Sequence, residues 1–172
     1  MKYLKTFEQQ TPKPNLDSAS PEFWEMVEIA DWKQVIDNQK LHPKIDTEYR
    51  NFTNDAKLRI YSKYSYNKIK NFHNECTHIY HQLYDYFQST WLDDQYDFMP
   101  SDDGYWDLVT SIIGLGKEFA QKCIDDKDNF VKLAEEDYYA ENFSYILNPD
   151  KQNYDYIVNQ YPLDRNIKKY NV

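Results

Sequence analysis

Apolar residues recur every three or four positions along most of this chain, and that spacing places them on one face of an α-helix. The clearest case follows Ser65, where seven apolar residues fall within about 100° of one another on a helix. They are Ile69, Phe72, Cys76, Ile79, Tyr80, Leu83 and Phe87. No segment shows the sustained apolar/polar alternation that is typical of a half-buried strand. The pattern predicts an all-α fold, a single compact helical domain of about six helices.

A second apolar stretch, residues 101–126, contains all three glycines of the chain. Its shared helical face comprises Trp106, Val109, Ile113, Ala120 and Ile124. Gly116 falls near the middle of that face, where a missing side chain would let another helix approach closely. The alternative is that residues 114–116, glycine-leucine-glycine, divide one long helix into two shorter ones.

The ends of the helical region are marked by polar and proline-containing segments. Ser20 followed by Pro21 predicts a helix start, with a hydroxyl cap and a proline in the first turn. We therefore predict a polar N-terminal arm over residues 1–19, a helical domain over residues 20–147 and a tyrosine-rich C-terminal tail over residues 148–172, docked or loose. Within the domain, further helices are predicted over residues 45–63, 128–136 and 138–147.

The net charge of −9 is unevenly distributed. Residues 1–75 hold 12 Lys/Arg against 11 Asp/Glu, whereas residues 76–172 hold 8 against 18. The acidic half would repel double-stranded nucleic acid and would attract a basic protein partner. The alternative is that the acidic balance only keeps the protein soluble. The 17 tyrosines suit protein–protein surfaces, because each offers a large contact area with a polar tip.

The chain start has no apolar run typical of a signal peptide, and no stretch approaches the ~20 apolar residues of a membrane span. We expect a cytoplasmic protein that does not bind a membrane. Both cysteines, Cys76 and Cys123, fall on predicted apolar faces, and we interpret them as buried free thiols.

No cofactor or metal site is predicted. His73, Cys76, His78 and His81 do not converge on a helix, because His78 lies about 140° around the axis from His73. The acidic segments 93–97 and 126–130 lack the glycine and closing glutamate of a calcium loop.

Two further patterns admit a functional interpretation beside a structural one. Asp102 and Asp103 could form an acid/base pair, but helix capping explains two acids at that position without catalysis. The basic residues of segment 57–70 interleave with tyrosines, as in some single-strand nucleic-acid sites. They are Lys57, Arg59, Lys63, Lys68 and Lys70, with Tyr61, Tyr64 and Tyr66. A solvated helix surface is the favoured interpretation.

Residues 20–147 resemble an uncharacterised bacterial family, domain of unknown function 4240. The similar motifs are Phe23-Trp24, the segment from Ser101 through Asp102-Asp103-Gly104 to Tyr105, and the apolar helix that ends at Gly116. The family often has an arginine and a tryptophan where this chain has Val109 and Ser111, so no role of that arginine carries over. The resemblance implies an all-helical cytoplasmic domain and supplies no activity.

These observations predict a non-catalytic acidic protein-binding module, an immunity protein that neutralises a basic bacterial toxin or effector domain. The alternatives are a small metal-dependent hydrolase that uses Asp102 and Asp103, and a regulatory scaffold protein. The predicted contact residues are Asp93, Asp94, Tyr96, Asp97, Asp102, Asp103, Asp125 and Asp126. No catalytic residue is predicted.

Overall fold

The computed structural model describes residues 11–41, 46–90, 102–135 and 143–164, with the backbone alone for residues 46–51 and 102–103. Every regular element in these ranges is helical, which confirms the all-α prediction. The α-helices are α1 (Pro21–Ala30), α2 (Trp32–Leu41), α3 (Asp46–Tyr61), α4 (Tyr66–Thr90), α5 (Asp102–Gly114), α6 (Lys117–Asp125), α7 (Lys127–Glu135), α8 (Phe143–Ile146) and α9 (Lys151–Asp155). A 3₁₀ turn, Leu16–Ser18, precedes α1, and a π-helical segment, Tyr156–Gln160, follows α9.

The helical region that begins after Ser20 is divided into two helices, α1 and α2. The Ser20 hydroxyl accepts a hydrogen bond from the Phe23 amide at 3.1 Å, which confirms Ser20 as the cap of α1. Asp31 then adopts a left-handed conformation with φ 48°, so the chain turns before α2 begins at Trp32.

Helix α4 has 25 residues and contributes the predicted apolar stripe without exception. All seven predicted residues are buried, from Ile69 to Phe87. The Lys68 amide donates to the Ser65 hydroxyl at 3.4 Å, where the sequence predicts the cap. The spacing of apolar residues is therefore sufficient to predict which face of α4 is buried.

The predicted role of Gly116 is wrong, and Gly114 has that role instead. A Cβ atom on Gly114 would lie 2.7 Å from Trp32 Cδ1 and 2.9 Å from Phe143 Cδ2, so only glycine allows these rings to reach α5. Gly116 has open space around its Cα and a φ of 102°, a conformation that glycine adopts readily. It ends the turn between α5 and α6, so the broken-helix alternative is the one the structure shows.

Helix α5 lies at the centre of the packing, in contact with α1, α2, α4, α6 and α8. Its inward residues Val109, Ile112 and Ile113 are fully buried. The Trp32 indole donates to the Ser111 hydroxyl at 3.4 Å, which pairs a buried polar group on α5. The stretch that contains the glycines is therefore the element around which the other helices assemble.

The two flanking segments pack on the helical body wherever the structure describes them. Residues 11–19 bury Leu16, whose carbonyl accepts a hydrogen bond from the Trp24 indole at 3.1 Å. In the C-terminal segment, Ile157 is buried and the Tyr154 hydroxyl donates to the Tyr64 carbonyl at 3.1 Å. The Tyr154 ring also stacks on Tyr61 at 5.2 Å between centroids. Residues 148–164 thus cover the end of α3.

Candidate protein-binding surface

Six of the eight predicted contact residues are described incompletely or not at all. Asp93, Asp94, Tyr96 and Asp97 lie outside the described residues. Asp102 and Asp103 form the first turn of α5, with the backbone alone described. Carboxylates at a helix N-terminus are stabilised by the positive end of the helix dipole.

Asp125, at the end of α6, is engaged by a residue from the N-terminal segment. Lys13 Nζ lies 2.5 Å from Asp125 Oδ1, and the Gln121 amide donates to Asp125 Oδ2 at 3.1 Å. The hydrogen bond from Lys13 is the main cause that lowers the pKa of the Asp125 carboxyl, and Gln121 contributes next. About half of each side chain of this ion pair remains exposed, so solvent screens the pair.

Asp126 caps α7, which begins at Lys127, one residue before the predicted start at residue 128. Its Oδ1 accepts a hydrogen bond from the Asp128 amide at 3.0 Å, and its Oδ2 accepts one from the Asn129 side chain at 3.4 Å. The capping bonds leave the Asp126 carboxylate exposed to solvent and free of any described lysine. The same side chain can therefore stabilise the helix start and present a negative charge.

The segment from α5 to α7 carries an excess of negative charge that described lysines do not neutralise. Residues 102–135 contain eight acids and four lysines. Four of these acids are exposed and form no ion pair with any lysine or arginine that the structure describes. They are Glu118, Asp126, Asp128 and Glu135. This surface keeps a negative potential that a basic partner can sense over about 10 Å at moderate salt.

A cluster of aromatic rings lies where α4 and α5 contact each other. Tyr80 and Trp106 are tilted rings with centroids 4.0 Å apart, and Tyr84 meets Tyr105 edge-on at 4.8 Å. Tyr80 and Tyr84, one helical turn apart, are 5.5 Å from each other. Tyr80 and Tyr105 are buried, whereas Tyr84 and Trp106 are partly exposed. The buried pair supports an outer pair that faces solvent.

The exposed carboxylate of Asp85 lies close enough to this cluster to act on its phenols. Burial raises the pKa of Tyr80, and the neighbouring Tyr84 and Asp85 raise it further. The same three causes, with Tyr80 added, raise the pKa of Tyr105. Both phenols therefore stay protonated, and the negative charge at this position belongs to Asp85.

The aromatic cluster is the feature that the sequence patterns did not identify. The periodicity predicts that Tyr80 lies in the core and that Trp106 lies on the shared buried face. It assigns no role to Tyr84. Tyr84 lies at the edge of the α4 stripe, four residues after Tyr80, and that spacing was the available signal. Helix α5 covers only part of the α4 stripe. Which edge stays exposed depends on how the two helices pack against each other.

The interleaved tyrosines of segment 57–70 are not available as a stacking platform. Tyr61 is 2% exposed and Tyr64 is 8% exposed. Tyr66 meets the Tyr154 ring edge-on at 5.7 Å. Stacking of bases needs an accessible ring face. Tyr61 and Tyr64 instead pack in the protein interior.

The basic residues of the same segment bind to groups within the protein. Lys63 pairs with Glu25 at 2.7 Å, and Lys68 pairs with Glu22 at 2.5 Å. The Arg59 guanidinium donates to the carbonyls that end α1, at 3.1 Å and 2.6 Å. These cations fasten α1 to α3 and α4.

The histidines and cysteines take up separate positions. Cys76 is buried, as its place in the apolar stripe predicts, whereas His78 and His81 are exposed. Among the described residues, no three His, Cys, Asp or Glu side chains come together in a way that could hold a metal ion. Burial raises the pKa of the Cys76 thiol to about 12. Burial and Asp126 raise the pKa of Cys123 to about 12. Neither thiol is a nucleophile at neutral pH.

A shallow cleft of about 410 Å³ separates the N-terminal segment from α1. It is lined by residues that include Ala19, Trp24, Glu28 and the pair formed by Asp17 and Lys117. Lys117 Nζ lies 2.5 Å from Asp17 Oδ1, so an ion pair closes one side of the cleft. The Trp24 indole already donates to the Leu16 carbonyl, so this N–H is not available to orient a ligand in the cleft.

No helix in the described ranges combines the length and the apolar character needed to cross a membrane. Compared with protein families, with characterised proteins and with solved structures, the chain matches none. The resemblance of residues 20–147 to domain of unknown function 4240 therefore stays a prediction.

Proposed function

We propose that this protein is a non-catalytic, acidic protein-binding module, and specifically a cytoplasmic immunity protein that neutralises a basic toxin or effector domain. The observation that carries the proposal is the group of exposed acids on and between α6 and α7, Glu118, Asp126, Asp128 and Glu135, which form no ion pair with any lysine or arginine that the structure describes. They belong to a segment in which acids outnumber lysines by eight to four. The connection between α4 and α5, residues 91–101, adds Asp93, Asp94 and Asp97 and no basic residue.

Charge of this kind acts on the encounter between two proteins. A negative surface steers a basic partner and raises the association rate by 10-fold or more at low salt. Rim carboxylates remain hydrated in the complex, so each contributes little to the final affinity. An inhibitor that must reach a toxin quickly benefits most from such steering.

The groups with the most strongly raised pKa values are poor candidates for acid/base catalysis. They are the phenols of Tyr80 and Tyr105 and the thiols of Cys76 and Cys123, which burial keeps protonated at neutral pH. A catalytic acid or base instead needs a pKa near the working pH and an accessible position. Asp102 and Asp103 are the remaining candidates, and the helix dipole favours acids in the first turn of α5 without any catalytic role.

The first experiment tests neutralisation directly. The chain is expressed together with the product of the gene immediately upstream of its own, and the growth of the host is followed. We expect the chain to restore growth and to co-purify with that product as a stable complex. If the neighbouring product is harmless, or stays toxic and free while the chain is soluble and folded, the immunity function is refuted.

The second experiment tests the steering role by association and dissociation kinetics. In one variant Asp93, Asp94 and Asp97 are all changed to Asn. Its association with the partner should be slowed at low salt, and the difference should shrink at about 1 M salt, where the Debye length is ~3 Å. The control variant carries Glu28→Gln and Asp31→Asn in the half of the chain whose charges balance. The first variant removes three charges and the control removes two, so an equal effect per removed charge would mean that net charge, and not this surface, controls association.

The third experiment separates a binder from an enzyme. Asp102→Asn with Asp103→Asn keeps side-chain shape and capping ability while it removes two charges. A binder should lose only part of its association rate. An enzyme that used the pair as acid and base would lose ~100-fold or more of its activity for each group.

A further inference from the structure

Two aromatic side chains on the α4–α5 surface are partly exposed and firmly supported from below. Trp106 lies against Tyr80 at 4.0 Å, and Tyr84 lies against Tyr105 at 4.8 Å. The supporting rings are buried, and the Tyr105 hydroxyl also donates to the Tyr84 carbonyl at 3.3 Å. Because packing already restrains Tyr84 and Trp106, these side chains lose little conformational entropy when a partner binds them.

An exposed carboxylate accompanies the two rings. Asp85, next to Tyr84 in α4, is exposed and forms no ion pair among the described residues. A ring face beside a carboxylate attracts a cation through both the ring quadrupole and the formal charge.

We propose that Tyr84, Asp85 and Trp106, here called the aromatic patch, form the energetic centre of the interface and bind an arginine side chain of the basic partner. This inference rests on the proposed function, because it names the chemical group that the partner contributes. Arginine, tyrosine and tryptophan are the residues that most often dominate protein interfaces. The acids on α6 and α7 then guide the partner, and the aromatic patch retains it.

The planar guanidinium fits this patch better than an ammonium does. Arginine stacks flat on an aromatic face while its N–H groups bind a carboxylate, and it is less strongly hydrated than lysine. A single exposed cation–π contact is worth about 0.5–1 kcal/mol, which corresponds to about a two- to fivefold change in Kd. The predicted signature is therefore a preference for arginine over lysine at equal charge.

An NMR titration with two peptides measures this preference without the natural partner. Octa-arginine and octa-lysine are added in turn to the ¹⁵N-labelled full chain at about 0.15 M salt. The Trp106 indole N–H signal is assigned by its loss in Trp106→Phe. The indoles of Trp24 and Trp32 already donate to Leu16 and Ser111, so their signals serve as internal controls. We expect the Trp106 signal to shift in both titrations, with a Kd about two- to fivefold lower for octa-arginine.

Variants of the patch should remove the preference while the fold persists. For every variant the Kd values are read from backbone amide signals of α4 and α5, because the Trp106 variants lack the indole signal. Trp106→Leu and Tyr84→Leu should bring the two Kd values together, whereas Trp106→Phe should keep most of the difference. Tyr156→Leu is the matched control, because Tyr156 is an exposed tyrosine that donates to a carboxylate, Asp164, at 3.1 Å on the C-terminal segment. It should leave the arginine preference unchanged. Circular dichroism melts confirm that each variant is folded, and Trp106→Phe keeps the test valid if Trp106→Leu does not fold.

Several results would overturn the inference. Equal Kd values for both peptides, or shifts confined to α6 and α7, would show that only charge acts. A Trp106 signal that moves on dilution of the free chain would show that a second copy of the chain covers the patch. The co-expression experiment tests the proposed neutralisation independently of this inference about the aromatic patch. A neutralising protein whose Trp106→Leu variant dissociates from its partner no faster than the parent would retain the proposed function and lose this inference.

Discussion

The close approach of two aromatic rings to Gly114 yields the sharpest test of the fold. In Gly114→Ala, the new methyl group would lie 2.7 Å and 2.8 Å from Trp32 Cδ1 and Cγ, and 2.9 Å from Phe143 Cδ2. These contacts are shorter than van der Waals separation, so the rings or the end of α5 must move. Trp32 and Phe143 are both fully buried and lie 5.3 Å apart in an edge-to-face pair, so neither ring has free space to enter.

Two opposing effects set the size of the change. Overpacking in a filled core costs about 1–3 kcal/mol. Alanine gains up to about 1 kcal/mol over glycine within a helix, but Gly114 is the last residue of α5, where that gain is smaller. We therefore expect the free energy of unfolding to fall by about 1–2 kcal/mol, which lowers the Tm of a chain of this size by about 2–8 °C.

The assay combines urea unfolding with the ¹⁵N indole signal of Trp32, whose N–H donates to Ser111. Gly114→Ala should both destabilise the protein and shift this signal. Gly116→Ala is the matched control, because its new methyl group would meet nothing within 4 Å while its φ of 102° strains any L-residue. It should cost about 1–2 kcal/mol without moving the Trp32 signal. Gly114→Ala that unfolds at the same urea concentration as the parent, with an unchanged Trp32 indole, would refute the packing described here.

Three further predictions concern the core, a helix end and pH. Ile113→Asp buries an unpaired carboxylate in α5 and should cost several kcal/mol, so circular dichroism should show no cooperative melt. Arg59→Met leaves the carbonyls that end α1 without their donor, and urea unfolding should show a loss of about 1–3 kcal/mol, with Arg59→Lys in between. Burial, followed by the charge of Lys70, lowers the pKa of His73, so the unfolded chain binds a proton first as the pH falls through about 6.5. Stability should therefore decrease from that pH down to the lowered pKa of the folded state, less steeply in His73→Gln than in the parent or in the exposed control His78→Gln.

The predicted contact surface was only partly accessible to reasoning from the sequence. The acidic excess of the second half is a matter of counting, and any fold of this chain would carry it. Which acids form ion pairs cannot be obtained by counting. Asp125, for example, pairs with Lys13, more than a hundred positions earlier in the chain. The patch formed by Tyr84 and Trp106 likewise depends on how α4 and α5 are aligned side by side.

Local patterns determined the helices, because a helix is defined by contacts between residues three and four apart. The α4 stripe and the Ser20 cap needed no knowledge of distant residues, and both agree with the structure. Local patterns do not predict the roles of Gly114 and Gly116. The helical spacing favours Gly116 for close packing, but Trp32 from α2 and Phe143 from α8 contact α5 at Gly114 instead, and Gly116 lies in the turn. Tertiary packing decides such positions because the atoms that constrain them come from other parts of the chain.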